Sequence, residues 1–203
     1  MELFLETVKP DMVVLDIGVY IGYYTLLAAR EVGPGERVYA FEPDPLSYRL
    51  LKHNIYINGY RNIMAVPKAV SSESCLVQLY QHPYDPTMSS LLARNGWERA
   101  TLAECTSADK FLGEQKVDLV KMDVEGAELQ TLQGMVRTIE KSAGMTMFVE
   151  FNPVVLNESG SPPGELISEI RKLGFDCIIR LDEQRNSQGE FELCNLCCTR
   201  GGY

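Results

Sequence analysis

Residues 13–17, Val-Val-Leu-Asp-Ile, form an almost continuous apolar run that stops at Gly18, with Gly22 four positions later. So short a run, closed by glycine, reads as a strand buried on both faces, which a parallel sheet covered by helices provides. The segment from about Ile21 to Val32 is rich in Leu and Ala and ends at Gly33-Pro34-Gly35, which predicts a helix. Buried strand, glycine turn and helix open a βαβ unit. If the rhythm repeats, the chain is confined to a doubly wound α/β architecture.

The rhythm does repeat. RVYAFE predicts a second strand ending at Glu42. Asp44 follows as an N-cap with Pro45 at the first helical position, and Leu46, Leu50, Leu51 and Ile55 recur at helical spacing until Gly59. A third strand is expected from about Ile63 to Val70. VDLVKMD then reads as another buried strand, followed by one helix carrying Leu129, Leu132, Val136 and Ile139. TMFVEF is the next strand. A helix capped by Ser161-Pro162 turns Leu166, Ile167, Ile170 and Leu173 inward and stops at Gly174.

Residues 71–116 interrupt this alternation. They hold a strand at CLVQLYQ, another before Asp109, and between them the turn-rich HPYDPTMSSLLARNGW. At the other end, DCIIRL and FELCNLCCT are joined only by the polar DEQRNSQGE. Parallel neighbours need a longer crossover, so these two strands are expected to form an antiparallel hairpin. The predicted fold is a doubly wound, mostly parallel sheet with a C-terminal antiparallel hairpin. It forms one domain over 1–203, with 71–116 as an insertion that could cover a ligand site.

Composition narrows the function. A formal net charge of −9 argues against a nonspecific nucleic-acid binder, which needs a basic footprint. No apolar stretch approaches the roughly 20 residues of a membrane span, and MELFLETVKPD lacks the features of a signal peptide, so a cytoplasmic location is expected. Cys194-x-x-Cys197-Cys198 invites a metal reading. His53 and His82 lie far away in sequence, however, and FELCNLCCT alternates as a strand, so core cysteines are the better expectation.

The chemistry concentrates at strand ends. Asp16-x-Gly18-x-x-x-Gly22 joins the first strand to the first helix, where glycines allow close backbone approach and the helix N-terminus offers amides to an anion. Glu42 ends the second strand, where a carboxylate can accept both hydroxyls of a ribose; its plain alternative is a solvated strand-end acid. Lys121-Met122-Asp123-Val124-Glu125-Gly126-Ala127-Glu128 places three carboxylates at a strand-to-helix turn. Capping accounts for part of this, yet Lys121 sits in an apolar strand and needs a charged partner there.

With these pieces in order, the chain resembles the FkbM family of methyltransferases. VVLDIGVYIGYYTLLAA, VYAFEPDP and KMDVEGAE carry the resemblance, with AVSSES, MSSLL and TSADKFL matching more loosely, over about residues 8–155. The resemblance implies a class I methyltransferase sheet with an antiparallel last strand, S-adenosylmethionine as methyl donor, and usually a hydroxyl oxygen as acceptor. The donor set is then expected to comprise Asp16, Gly18, Tyr20, Gly22, Glu42, Pro43, Ala69, Val70 and Asp123, with Asp16 facing the ammonium of the donor. The family commonly has Gly-Ala-Asn-Ile-Gly in the first loop, so Tyr20 stands where a small polar Asn is usual. Many relatives also carry an N-terminal extension that can cover the pocket, so closure here is expected to use another element or a partner chain.

For the reaction, Asp123 is the first candidate base, followed by Glu125 and Glu150, with Lys121 orienting or tuning them. Asp123 and Glu150 are compatible with a hard cation, but nothing in the spacing demands one, and no metal is assigned. His82 is a further possible base in the variable segment. Tyr80, Tyr84 and Trp97 either line an acceptor pocket or pack the insertion onto the sheet. The partner expected is a small hydroxylated molecule, a sugar or a secondary metabolite, and not a nucleic acid. A nicotinamide-dependent dehydrogenase would show Gly-x-Gly-x-x-Gly, which this loop does not fit. A catalytically silent binding or scaffold protein of the same fold is the remaining alternative.

Overall fold

The computed structural model describes residues 1–34, 38–82, 84, 89–93, 96–185 and 191–200. In chain order the elements begin α1 (Glu2–Thr7), β1 (Val14–Ile17), α2 (Tyr23–Val32), β2 (Val38–Phe41), α3 (Pro45–Ile57), β3 (Ile63–Val66) and β4 (Ala69–Val70). The interrupting segment gives β5 (Leu76–Gln81), β6 (Ser89–Ser90), β7 (Glu98–Thr106) and α4 (Ala108–Leu112). The second half is β8 (Leu119–Met122), α5 (Glu128–Gln133), α6 (Val136–Lys141), β9 (Thr146–Phe151), α7 (Pro153–Glu158), α8 (Pro163–Lys172), β10 (Cys177–Arg185) and β11 (Phe191–Thr199).

Seven strands make the main sheet in the order β10-β11-β9-β8-β1-β2-β3. Every pairing from β9 to β3 is parallel, while β11 runs antiparallel to both β9 and β10. The expected terminal hairpin is therefore present, with β11 as the one reversed strand. Side chains alternate across the sheet as period two requires. Leu15, Ile17, Val120 and Met122 face a core shared with α5, α6 and α8. Val14, Val38, Leu119 and Phe148 face the opposite core with Phe4, Ala28 and Val32. Both faces of the central strands are thus covered, which explains their largely apolar sequence.

The chain builds outward from β1 to β2 and β3, then returns to place β8 on the other side of β1. That reversal opens a crevice beyond the carboxyl ends of β1 and β8, where doubly wound sheets bind ligands. A second sheet, β4-β7-β5-β6, stands over it.

Three expectations need correction. The third strand is not continuous to Val70, because Pro67 has no N–H to give the ladder; Ile63–Val66 stays in the main sheet and Ala69–Val70 pairs with β7 instead. The helix expected through Ile139 breaks at Gly134, where a Cβ would lie 2.0 Å from the Ser71 carbonyl oxygen. Its second half is capped from a distance: Asp109 accepts from the Thr138 N–H at 2.7 Å and the Arg137 N–H at 3.1 Å. Finally, Asn152 starts an unanticipated helix, α7, by accepting from the Val155 N–H, and α8 begins without a side-chain cap from Ser161, which is buried.

The cysteines of β11 divide between the two cores, Cys194 and Cys198 on one face and Cys197 on the other. The sheet itself lies between Cys197 and its neighbours, so the three thiols cannot converge on one metal.

Candidate active site

Three strand ends lean on one another at the crevice. The Gly18 N–H donates to the Phe41 carbonyl at 3.0 Å, the Asp123 N–H to the Ile17 carbonyl at 3.0 Å, and the Glu42 N–H to the Val66 carbonyl at 3.1 Å. The contact at Gly18 is so close that a Cβ there would sit 1.7 Å from the Asp123 carbonyl oxygen. With φ at +79°, this position is closed to any other residue on two independent grounds.

Glu42 organises the first loop. One carboxylate oxygen accepts the Tyr20 N–H at 2.7 Å and the other accepts the Asp44 N–H at 2.9 Å. Asp44 in turn caps α3, accepting from the Ser47 N–H at 2.8 Å. Each Glu42 oxygen keeps capacity for one further donor from the crevice.

Tyr20 adopts φ +52°, the left-handed region in which Asn is at ease and a bulky residue is strained. Tyr20→Asn is expected to raise stability by about 1 kcal/mol in urea unfolding; an unchanged or lower midpoint would refute the strain.

At the end of β8, Glu125 (φ +51°) and Gly126 (φ +96°) both take left-handed conformations, and the Ser90 hydroxyl on β6 donates to the Glu125 carbonyl at 2.7 Å. The turn is thus fixed from above by the second sheet. Asp123, Glu125 and Glu150 bring one carboxylate oxygen each to within 4.8 Å of one another. Lys121, 3% exposed, reaches Asp123 Oδ2 at 3.1 Å and lies over the Tyr24 ring at 5.3 Å. Asp16 is its register partner on β1, on the same face of the sheet. One buried ammonium therefore serves three carboxylates, Asp123, Glu150 and Asp16. Burial alone would lower its pKa, and their charges outweigh that and raise it.

Burial raises the acids in turn. Asp16 is pushed up to about 6 against the pull of its Thr25 hydrogen bond, Glu42 to about 7 against its two amide donors, and Glu128 to about 7. Glu150 rises to about 9, through burial first and then the charges of Asp123 and Glu125. In the unfolded chain all four titrate near ordinary carboxylate values, so between those values and the raised ones the folded state holds more protons. Stability then falls as pH climbs from about 5 to about 8. The urea midpoint should be higher at about pH 5.5 than at about pH 8; a midpoint that rises with pH would contradict this electrostatic picture.

A cleft of about 310 Å³ collects most of the expected residues: Gly18, Tyr20, Glu42, Pro43, Ala69, Val70, Asp123, Glu125 and Glu150 all line it. Three lie outside its lining. Asp16, 3% exposed, accepts from the Thr25 hydroxyl at 2.5 Å at the first turn of α2 and does not reach the cleft lining. Gly22 is the left-handed N-cap of α2 and packs toward Leu51. Lys121 is not in the lining but donates to Asp123, which is. His82 and Tyr80 are also outside the lining, as are Trp97, whose ring is 5.6 Å from His82, and Tyr84, which is exposed. Sequence reasoning missed Ser47, Lys68, Leu79, Ser89 and Leu91. The last two belong to MSSLL, so a signal existed for them; nothing in the sequence distinguished Leu79 or Lys68.

The Methyltransferase FkbM domain family matches residues 16–177. Among curated relatives, Methyltransferase 1 of Beauveria bassiana is 28% identical over 147 residues, covering 62% of this chain and 59% of its own length. The hexuronic acid methyltransferase AglP of Haloferax volcanii is 26% identical, with 68% of this chain and 56% of that protein covered. The chain thus spans about three fifths of the length of the curated relatives it matches. Among solved structures, a methyltransferase from Streptococcus mutans in complex with SAH superposes with a TM-score of 0.60 at 9% identity, over 97% of this chain and 94% of that one. At that identity the likeness speaks for the fold. Some rRNA methylases share it too, so the fold does not by itself exclude a nucleic-acid acceptor.

Proposed function

Because the chain belongs to the Methyltransferase FkbM domain family, we propose that it is an S-adenosylmethionine-dependent methyltransferase acting on a hydroxyl oxygen of a small molecule, sugar or secondary metabolite. The observation that carries the reading is Glu42. It stands in the crevice wall with both oxygens fixed by backbone amides and with capacity left for two hydroxyl donors, which is what a ribose presents.

The other residues fit the same donor. Gly18 lines the cleft without a side chain, so backbone is what a ligand meets there. Asp123, Glu125 and Glu150 give the cleft an acidic wall suited to a cationic group. When bound, the donor supplies an electrophilic methyl group on a sulfonium. The chain must then hold the acceptor oxygen in line and take its proton.

Asp123 is our candidate for that proton. It lines the cleft, and the buried Lys121 holds one of its oxygens. Glu150 has a different part. Burial and the charges of Asp123 and Glu125 push its carboxyl up, which favours the protonated form beside the cleft. The relative that acts on a hexuronic acid supports a hydroxylated acceptor, and the acidic composition speaks against a polyanionic one.

Transfer of labelled methyl groups to a panel of sugars, phenols and polyketide alcohols tests the reading, with amine acceptors as controls. Asp123→Asn should lower kcat about a hundredfold, more than it weakens S-adenosylhomocysteine binding. Unchanged turnover would remove Asp123 from the reaction, and methylation confined to amines would overturn the choice of oxygen.

A further inference from the structure

The second sheet carries a pair of thiols that the proposed reaction does not use. Cys75 immediately precedes β5, and Cys105 lies on β7. The antiparallel register matches Leu76 with Glu104, which sets Cys75 and Cys105 directly opposite one another, and the Cys105 N–H donates to the Cys75 carbonyl at 2.8 Å. Directly opposed residues joined this way have Cα atoms about 5.5 Å apart, within the range a disulfide spans. Both thiols are free, and burial, with the neighbouring Cys75 thiol adding to it, pushes the Cys105 thiol up to about 12.

Access differs between them. Cys75 is exposed and Cys105 is buried, and both line a shallow cleft that Lys68 and Lys110 also border. The arrangement has the two parts of an exchange site: an outer thiol that a reagent can reach and an inner thiol positioned to displace it. Lys68 pairs there with Glu104 at 2.8 Å, so Lys110, which donates to Ser74 Oγ at 3.1 Å, is the cation that suits a reagent carrying carboxylates.

We propose that Cys75 and Cys105 form a reversible disulfide by exchange with an anionic small-molecule disulfide of the glutathione type. The Cys75 thiol loses its proton and attacks one sulfur of the reagent; the reagent's S–S bond breaks, and one half leaves as a thiol. The Cys105 thiol then loses its proton and attacks Cys75 Sγ in the mixed disulfide, expelling the second half. Two cysteine thiols are oxidised and one reagent disulfide is reduced to two thiols.

The bond would close residues 76–104 into a loop and join the strands that carry the cover. Cys105 is also the register partner of Ala69, which lines the main cleft, so the staple sits one strand away from that wall. Constraining a loop of this length raises Tm by about 5–10 °C.

The test is incubation of the folded protein with oxidised glutathione, thiol quenching and peptide mapping, followed by dithiothreitol. The expected result is a linked pair of peptides containing Cys75 and Cys105, a raised Tm, and reversal of both on reduction. Cys105→Ser should stop at a glutathione adduct on Cys75, and Cys75→Ser should leave Cys105 unmodified. A wild-type protein that carries only the Cys75 adduct, keeps both thiols free, or forms the link only after denaturation overturns the proposal. If Cys105→Ser fails to fold, the wild-type map decides alone.

Discussion

Glu42→Ala is expected to weaken S-adenosylhomocysteine binding by about a thousandfold. A hydrogen bond to an ionised group contributes about 1.5–3 kcal/mol, and a ribose would make two of them to this carboxylate, so about 4 kcal/mol is at stake. The loss has a second source in the fold. Tyr20 and Asp44 both donate their backbone N–H groups to Glu42, and alanine leaves them without that acceptor at the start of the loop that shapes the cleft. Glu42→Gln keeps the shape, one acceptor oxygen and no charge, so its loss should be smaller, on the order of tenfold to a hundredfold. The pH dependence separates the variants further. Burial holds the Glu42 carboxyl near 7, so wild-type affinity should rise as pH passes upward through that value, and Glu42→Gln should lack that component. A silent scaffold of the same fold would show none of these effects, because it would have no donor to lose.

Gly18→Ala is expected to abolish detectable donor binding and lower Tm by about 10 °C, the equivalent of about 3–5 kcal/mol. The added methyl would lie 1.7 Å from a backbone carbonyl oxygen of Asp123 and 3.3 Å from a Val124 methyl. A carbonyl in a strand-end ladder has no rotamer to escape into. The ends of β1 and β8 must separate, and Asp123 moves with them. Gly22→Ala makes a useful contrast. Its methyl meets the movable Leu51 Cδ1 at 2.4 Å, so its cost is mainly that of φ +91°, about 1–2 kcal/mol. Equal damage from the two substitutions, read by thermal unfolding, would argue against the close approach of β1 and β8 as the special feature of Gly18.

How far the sequence could be read follows from the range of the interactions involved. Val13–Ile17 and Val117–Met122 are largely apolar runs because they are covered on both faces, so burial wrote them plainly into the sequence. The terminal hairpin was legible from the short polar connection alone. The break at Gly134 was not, because the second half of that helix is capped by Asp109 from a different part of the chain. The split at Pro67 was marked by the proline itself, but its consequence, the transfer of Ala69–Val70 to another sheet, depends on a partner strand thirty-odd residues later.

The site shows the same division. Gly18, Glu42 and Asp123 stood out because glycine and carboxylates at strand ends have few other reasons to occur there. Asp16 looked equivalent in sequence, yet its direction is set by Thr25 on the following helix and by the parity of β1, which turns it to the face of Lys121. Leu79 and Lys68 reach the cleft only because the second sheet folds over it, and no local pattern records that.

The central claim is that the crevice beyond β1, β2 and β8 holds the methyl donor. Calorimetric titration of the folded protein with S-adenosylhomocysteine, with NADH as control, tests it most directly. The account predicts saturable one-to-one binding of S-adenosylhomocysteine alone, lost in Glu42→Ala. Absence of that binding in a protein whose circular dichroism and cooperative unfolding show it to be folded, or equal binding of NADH, would contradict it.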